Sequence, residues 1–176
     1  NPLEWSRVDR CLLLIALFAF VGGASNLVMG TAASLYFERL PWVNWIFAQP
    51  YYHINRIIGI PWIFLLLLGL WLRRRSPENQ LFAQTVLQYN AVHVSFVCYA
   101  FGPVTHPGPF LLGMALGTLN FLLFELKIAL PWLVTFTVLT IGTSIATWAG
   151  LIPYAPIFSS SAFSGGKIET YYFVGT

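Results

Sequence analysis

One largely apolar stretch of this sequence carries several polar side chains, among them Gln84, Gln88, Tyr89, Asn90, His93, Ser95 and Tyr99. Smaller numbers sit in other apolar stretches, chiefly Asn26, His53, Arg56, Asn120 and Thr147. These types suit recognition: amides and hydroxyls donate and accept, a histidine changes charge near neutral pH, and a guanidinium pairs with an anionic or carbonyl group. Covalent catalysis has no such footing. The sequence has no GxSxG, HExxH, phosphate-binding loop, Gly-rich dinucleotide turn or carboxylate pair inside an apolar run. The three histidines are unclustered, so no metal site is expected, and hydrolytic or phosphoryl chemistry within these residues is not expected either.

The surroundings of these residues decide how they act. Hydrophobic residues make up 57% of the chain, aromatic ones 17% and charged ones only 9%, against about 25% charged in an average soluble domain. The pattern predicts an all-α, polytopic membrane helix bundle forming a single domain, with five complete transmembrane helices and the start of a sixth. The expected helices cover about 11–30, 54–72, 81–101, 110–126, 128–152 and 170 onward. Pro131 falls in the first turn of the fifth, where a missing N–H does little harm. Residues 35–50 combine Glu38, Arg39 and Pro41 with Tyr36, Phe37, Trp42, Trp45 and Phe47, a mixture that predicts a short interfacial helix.

Orientation follows from the basic residues. Arg7, Arg10, Arg73, Arg74, Arg75 and Lys127 fall on one side of this alternation, and Arg39, Arg56 and Lys167 on the other. The excess puts the N-terminus in the cytoplasm. The net charge of +3 is explained by this distribution, with no nucleic-acid partner expected. Starting at Asn1 and ending in the apolar Thr170 to Thr176, the sequence is expected to be an excerpt of a longer protein. Cys11 and Cys98 lack metal or redox spacing and are expected to be buried as small apolar side chains.

Polar side chains inside a span turn away from lipid, toward the bundle interior. On the third helix Gln84, Gln88 and Ser95 share one face and Tyr89 and His93 point elsewhere, which predicts a central helix. His93 is eight residues from Phe101, hence roughly 12 Å below the outer surface. Arg56, Asn26, Thr147 and Asn120 are placed in the outer half or near the middle, with His53 and Tyr52 at the rim. Together Arg56, His93, Asn120, Asn26, Thr147 and His53 predict a small outward-opening cavity. Plainer alternatives stand beside it: Arg56 snorkelling to headgroups, His93 neutral and bonded to a neighbour, the asparagines joining helices. Gly113, Gly117, Thr140 and Thr143 form small-residue stripes for helix packing, within the chain or across a homodimer. No cofactor is expected. The alternative is haem b on His93, for which His53 and His106 are the remaining histidines.

The layout resembles the N-terminal membrane-associated sensor domains that precede nucleotide cyclases, diguanylate cyclases or histidine kinases in bacteria. The resemblance rests on the Asn1 to Arg10 lead, the compact spans joined through Arg73-Arg74-Arg75, and the Ile157 to Glu169 loop running into Tyr171-Tyr172-Phe173-Val174. It implies a multi-pass protein of the bacterial inner membrane, dimeric, binding a small amphiphilic or lipid-like signal and controlling a C-terminal cytoplasmic domain. The alternative readings are a small transporter or subunit of a membrane complex, and a haem-binding redox module.

Overall fold

A computed structural model describes residues 4–20, 45–102 and 107–153. Among them every regular element is an α-helix: α1 (7–20), α2 (Trp45–Arg75), α3 (Gln80–Phe101), α4 (Pro107–Leu123) and α5 (Leu126–Trp148). Residues 21–44 and 154–176 lie outside the described set. With them go the ends of the expected first span and of the interfacial segment, the Ile157 to Glu169 loop, the sixth helix and Asn26.

Local signals explain most boundaries. Ser6 caps α1: its hydroxyl accepts the Asp9 N–H at 3.1 Å and donates to the Asp9 carboxylate at 2.7 Å. Asn79 caps α3 by accepting the Phe82 N–H at 2.8 Å, and Gly102, at φ 74°, ends it where the expected third helix ends. The structure departs from the sequence expectation elsewhere. Helix α2 starts at Trp45 and runs through Pro50 and Pro61 without a break, so Trp45 to Pro50 extends the second helix and forms no separate interfacial one. Its 31 residues span about 46 Å, beyond the ~30 Å of a hydrocarbon core. Helix α4 begins at Pro107, whose missing N–H is one a first turn leaves unbonded anyway, and stops at Leu123. Helix α5 starts two residues before the expected Ile128, because the extended Glu125 offers its carbonyl to the N–H groups of Ile128 and Ala129. Pro131 therefore lies inside the helix and not in its first turn.

The far end of α5 shows why the expected limit at Ile152 was too late. Leu151 N–H bonds to the Ala146 carbonyl and Gly150 N–H to that of Thr147, with Gly150 at φ 71°. This crossed pair closes a helix around a left-handed residue, a conformation glycine adopts without a Cβ penalty.

Two helices are long and apolar enough to cross a membrane, Ile57–Arg75 and Leu126–Trp148. Five complete spans are not found among the described residues. The apolar part of α4, Gly108–Leu123, falls short in length, the polar residues of α3 lower its hydropathy, and α1 is described only over 7–20.

Helix α3 is the hub, packing most extensively on α5 and also on α4 and α2. Three glycines set the close approaches. A Cβ on Gly117 would lie 2.8 Å from the Trp132 ring, one on Gly113 2.7 Å from Phe136, and one on Gly69 2.8 Å from Leu12 and 2.9 Å from Phe82. Rings of α5 thus settle onto the glycine face of α4, while α1, α2 and α3 converge at Gly69. Cys11 and Cys98 are both buried and free.

Candidate functional site

Gln88, Tyr89, Asn90 and His93 of α3 are met by partners on two neighbouring helices, whereas the buried Ser95 hydroxyl has none among the described residues. Toward α2, the Trp62 indole N–H donates to His93 Nδ1 at 2.9 Å, and the Tyr89 hydroxyl donates to the Ile58 carbonyl. The first bond makes His93 a neutral imidazole with its proton on Nε2, because a nitrogen that accepts carries none. The second ties α3 to the turn in which Pro61 withholds an N–H from the Ile57 carbonyl, next to Ile58. Phe18 of α1 closes the group, with its ring centroid 5.0 Å from Trp62 and 5.2 Å from His93. Toward α5, Trp132 Nε1–H donates to Asn90 Oδ1 at 2.9 Å and Thr135 to Gln88 Oε1 at 2.6 Å. Buried polar groups without water need such partners.

A second cluster gathers at the pole where α1 begins, α2 gives way to α3 and α4 to α5. Arg7 pairs with Glu125, donates to the Glu78 carbonyl at 3.0 Å and stands 3.6 Å from the Glu78 carboxylate. Arg73 pairs with Asp9 at 2.7 Å and Lys127 with Glu125 at 2.8 Å. Arg10 donates to the Leu123 carbonyl at 2.6 Å, placing a cation at the C-terminal end of α4, where the helix dipole favours it. The α2–α3 and α4–α5 turns are thereby both tied to the first turn of α1.

Hydrogen bonds from Lys127 and then Arg7 hold the Glu125 carboxyl at about 2, below its ordinary 4.5. A carboxyl depressed in the folded state stabilises fully above its unfolded value, and that contribution disappears as pH falls toward the folded value. Because the pair is exposed, solvent screens it and it sets register more than stability. Glu125→Gln is expected to lower the melting temperature at pH 7 and at pH 5 equally. The gap to the native protein should close between about pH 4.5 and 2 in thermal scans. A gap that closes between pH 7 and 5 would refute this assignment.

The expected cavity residues are spread along the bundle. Asn26 lies outside the described residues, the Arg56 side chain likewise, and His53 is exposed on α2. Gly113 is level with Val94, the neighbour of His93, and with Phe136. From that level Asn120 is seven residues toward the charged pole, about 10 Å, and Thr147 eleven residues the other way, about 16 Å. His93, Asn120 and Thr147 therefore share no common depth. Asn120 is 1% exposed with neither amide atom bonded. Thr147 donates to the Thr143 carbonyl, and Thr143 shares its hydrogen between the carbonyls of Leu139 and Thr140. The hydroxyls of Thr143, Ser144 and Thr147 thus turn onto their own helix, whereas Thr135 reaches across to α3.

No protein family, curated relative or solved structure matches the chain.

A haem held by two histidines needs both imidazoles on opposite faces of one iron. His53 precedes Trp62, the partner of His93, by nine residues on α2, about 13 Å along the axis, and His106 is outside the described residues. His53 and His93 do not fit that arrangement. Sequence reasoning missed Trp62, Trp132 and the carboxylate of Glu125 as partners. An indole N–H inside an apolar run needs an acceptor, and that signal was present for both tryptophans.

The groove detected on this surface, about 280 Å³, is open and runs along one face of α5, lined by Thr140, Ile141, Ser144, Ile145 and Trp148.

Proposed function

We propose that this chain is a multi-pass domain of the bacterial inner membrane with its charged pole in the cytoplasm, and that it serves as a sensory or regulatory unit for amphiphilic signals. One observation carries the membrane reading. The apolar windows of α2 and α5 are each only 22% buried, so their apolar side chains point out of the bundle, opposite to the core helix of a soluble protein. Ile57, Ile60, Ile63, Phe64 and Leu67 on α2, and Val134, Val138, Ile141 and Ile145 on α5, are all exposed. The basic excess at the pole of Arg7, Arg10, Arg73 to Arg75 and Lys127 supports a cytoplasmic N-terminus.

The sensory part rests on the layout and on the α5 groove, whose apolar wall beside the exposed Ser144 hydroxyl suits a single-chain amphiphile. Since His93, Asn120 and Thr147 are separated in depth, the signal is proposed to act at this lipid-facing surface. A transport path has less support, because Gln88, Tyr89, Asn90 and His93 are each engaged by a neighbouring helix.

Membranes washed with alkaline carbonate are expected to retain the protein. Reporters fused after Arg75 and after Gly102 should read cytoplasm and exterior, respectively. Release by carbonate, or the reverse polarity, overturns the reading. Oleate should raise the melting temperature of the native protein in detergent and leave Ser144→Phe, which fills the groove, unshifted. An oleate response equal in both removes the sensory part alone.

A further inference from the structure

We propose that the cytoplasmic end of α2 binds the headgroup of an anionic phospholipid, with Arg74 and Arg75 as cationic contacts and Trp71 as the interfacial platform. This deepens the membrane reading and rests on it. Ile60, Ile63, Phe64, Leu67 and Trp71 are exposed and follow one another at helical spacing, forming a single outward stripe of α2. Arg74 and Arg75 come three and four residues after Trp71, so the same stripe passes from aliphatic to indole to guanidinium within two turns. That sequence of surfaces matches a phospholipid read from acyl chain to headgroup.

Charge pairing at the pole singles out these two arginines. Arg73 is paired with Asp9, Arg7 with Glu125 and Glu78, Lys127 with Glu125, and Arg10 donates to the carbonyls of Trp5 and Leu123. Among the described residues, Arg74 and Arg75 have no carboxylate partner, and both are exposed. The Arg75 guanidinium lies 5.0 Å over the Trp71 ring, which fixes it beside the stripe while its donors, lying in the guanidinium plane, remain available to phosphate oxygens. An anionic lipid is selected over a zwitterionic one because its phosphate charge has no ammonium of its own. Basic residues next to a span attract such lipids by about fivefold each, hence about twenty-fivefold for the pair.

The test uses the full chain in detergent micelles, with lipid adducts counted by native mass spectrometry. Dioleoylphosphatidylglycerol is expected to bind at least tenfold more tightly than dioleoylphosphatidylcholine. Arg74→Gln/Arg75→Gln should lose that preference, whereas Lys127→Gln should keep it. If the double variant loses helical content, Arg74→Gln alone, expected to lose about fivefold, decides. Equal binding of the two lipids, or a preference unchanged in the variants, overturns the proposal. So does full competition by soluble glycerol phosphate, which would mark a free-anion site. A protein that resists carbonate yet shows no preference sinks this proposal alone; one released by carbonate sinks the membrane reading as well.

Discussion

Replacing Trp132 by alanine is expected to cost the folded bundle about 3–5 kcal/mol, the range for deleting a buried large aromatic side chain. The ring is 1% exposed, lies against Gly117, and stacks on Phe136 with centroids 5.2 Å apart and planes 11° from parallel. Its removal opens a void between α4 and α5 that their backbones cannot close without giving up the Gly113 contact with Phe136. It also leaves Asn90 Oδ1 without its donor in a buried site. Trp132→Phe keeps much of the ring and loses the N–H, so it should cost less, about 1–3 kcal/mol for the orphaned acceptor. Unfolding in mixed micelles followed by circular dichroism measures both. A loss below about 1 kcal/mol for Trp132→Ala would mean that α5 is not seated on Gly117.

The second large effect is expected at Gly69. A Cβ there meets Leu12 at 2.8 Å and Phe82 at 2.9 Å. Alanine forces small displacements of two side-chain ends, whereas valine adds two carbons where α1, α2 and α3 converge. Overpacking of this kind costs about 1–3 kcal/mol. The strain is relieved by moving α1, which is held by its polar first turn, the Phe18 ring contacts and the burial of Val8, Cys11, Leu14 and Ile15. Cys11 on α1 is fully buried and one turn from Arg7, so it reports that movement, and the buried Cys98 on α3 serves as the internal reference. Gly69→Val is expected to speed N-ethylmaleimide labelling of Cys11 about tenfold, equivalent to a 1.4 kcal/mol easier opening, without speeding that of Cys98. Equal acceleration of both thiols would indicate general unfolding instead.

How legible these features were in sequence varied with the range of the interaction that sets them. Helix α3 was read within one residue because its signals, Asn79 before it and Gly102 after it, are local. Its central place was legible too, since a helix with polar groups on more than one face needs neighbours on each. The end of α5 was misplaced although Gly150 is in plain view: a glycine inside an apolar run looks like a packing residue until its hydrogen bonds are known. Five complete spans were counted where two qualify among the described residues, because the apolar part of α4 is short and the polar residues of α3 lower its hydropathy. The candidate cavity assumed that distance from a helix end gives depth. The contacts of Gly113 with Val94 and Phe136 show how the helices are staggered, and the stagger separates Asn120 from Thr147. Pairings such as Trp62 with His93 join residues far apart in the chain, and no local pattern specifies them.

The bond between Arg7 and Glu125 connects residues 118 positions apart. At a synthesis rate of 5–20 residues per second, the carboxylate emerges roughly 6–24 s after the arginine. During that interval α1 gains its contacts with Arg73 and Glu78 but lacks both Glu125 and the Leu123 carbonyl that Arg10 uses. Among the described residues, α2, α3 and α4 are therefore all made before the first turn of α1 can be tied to the start of α5.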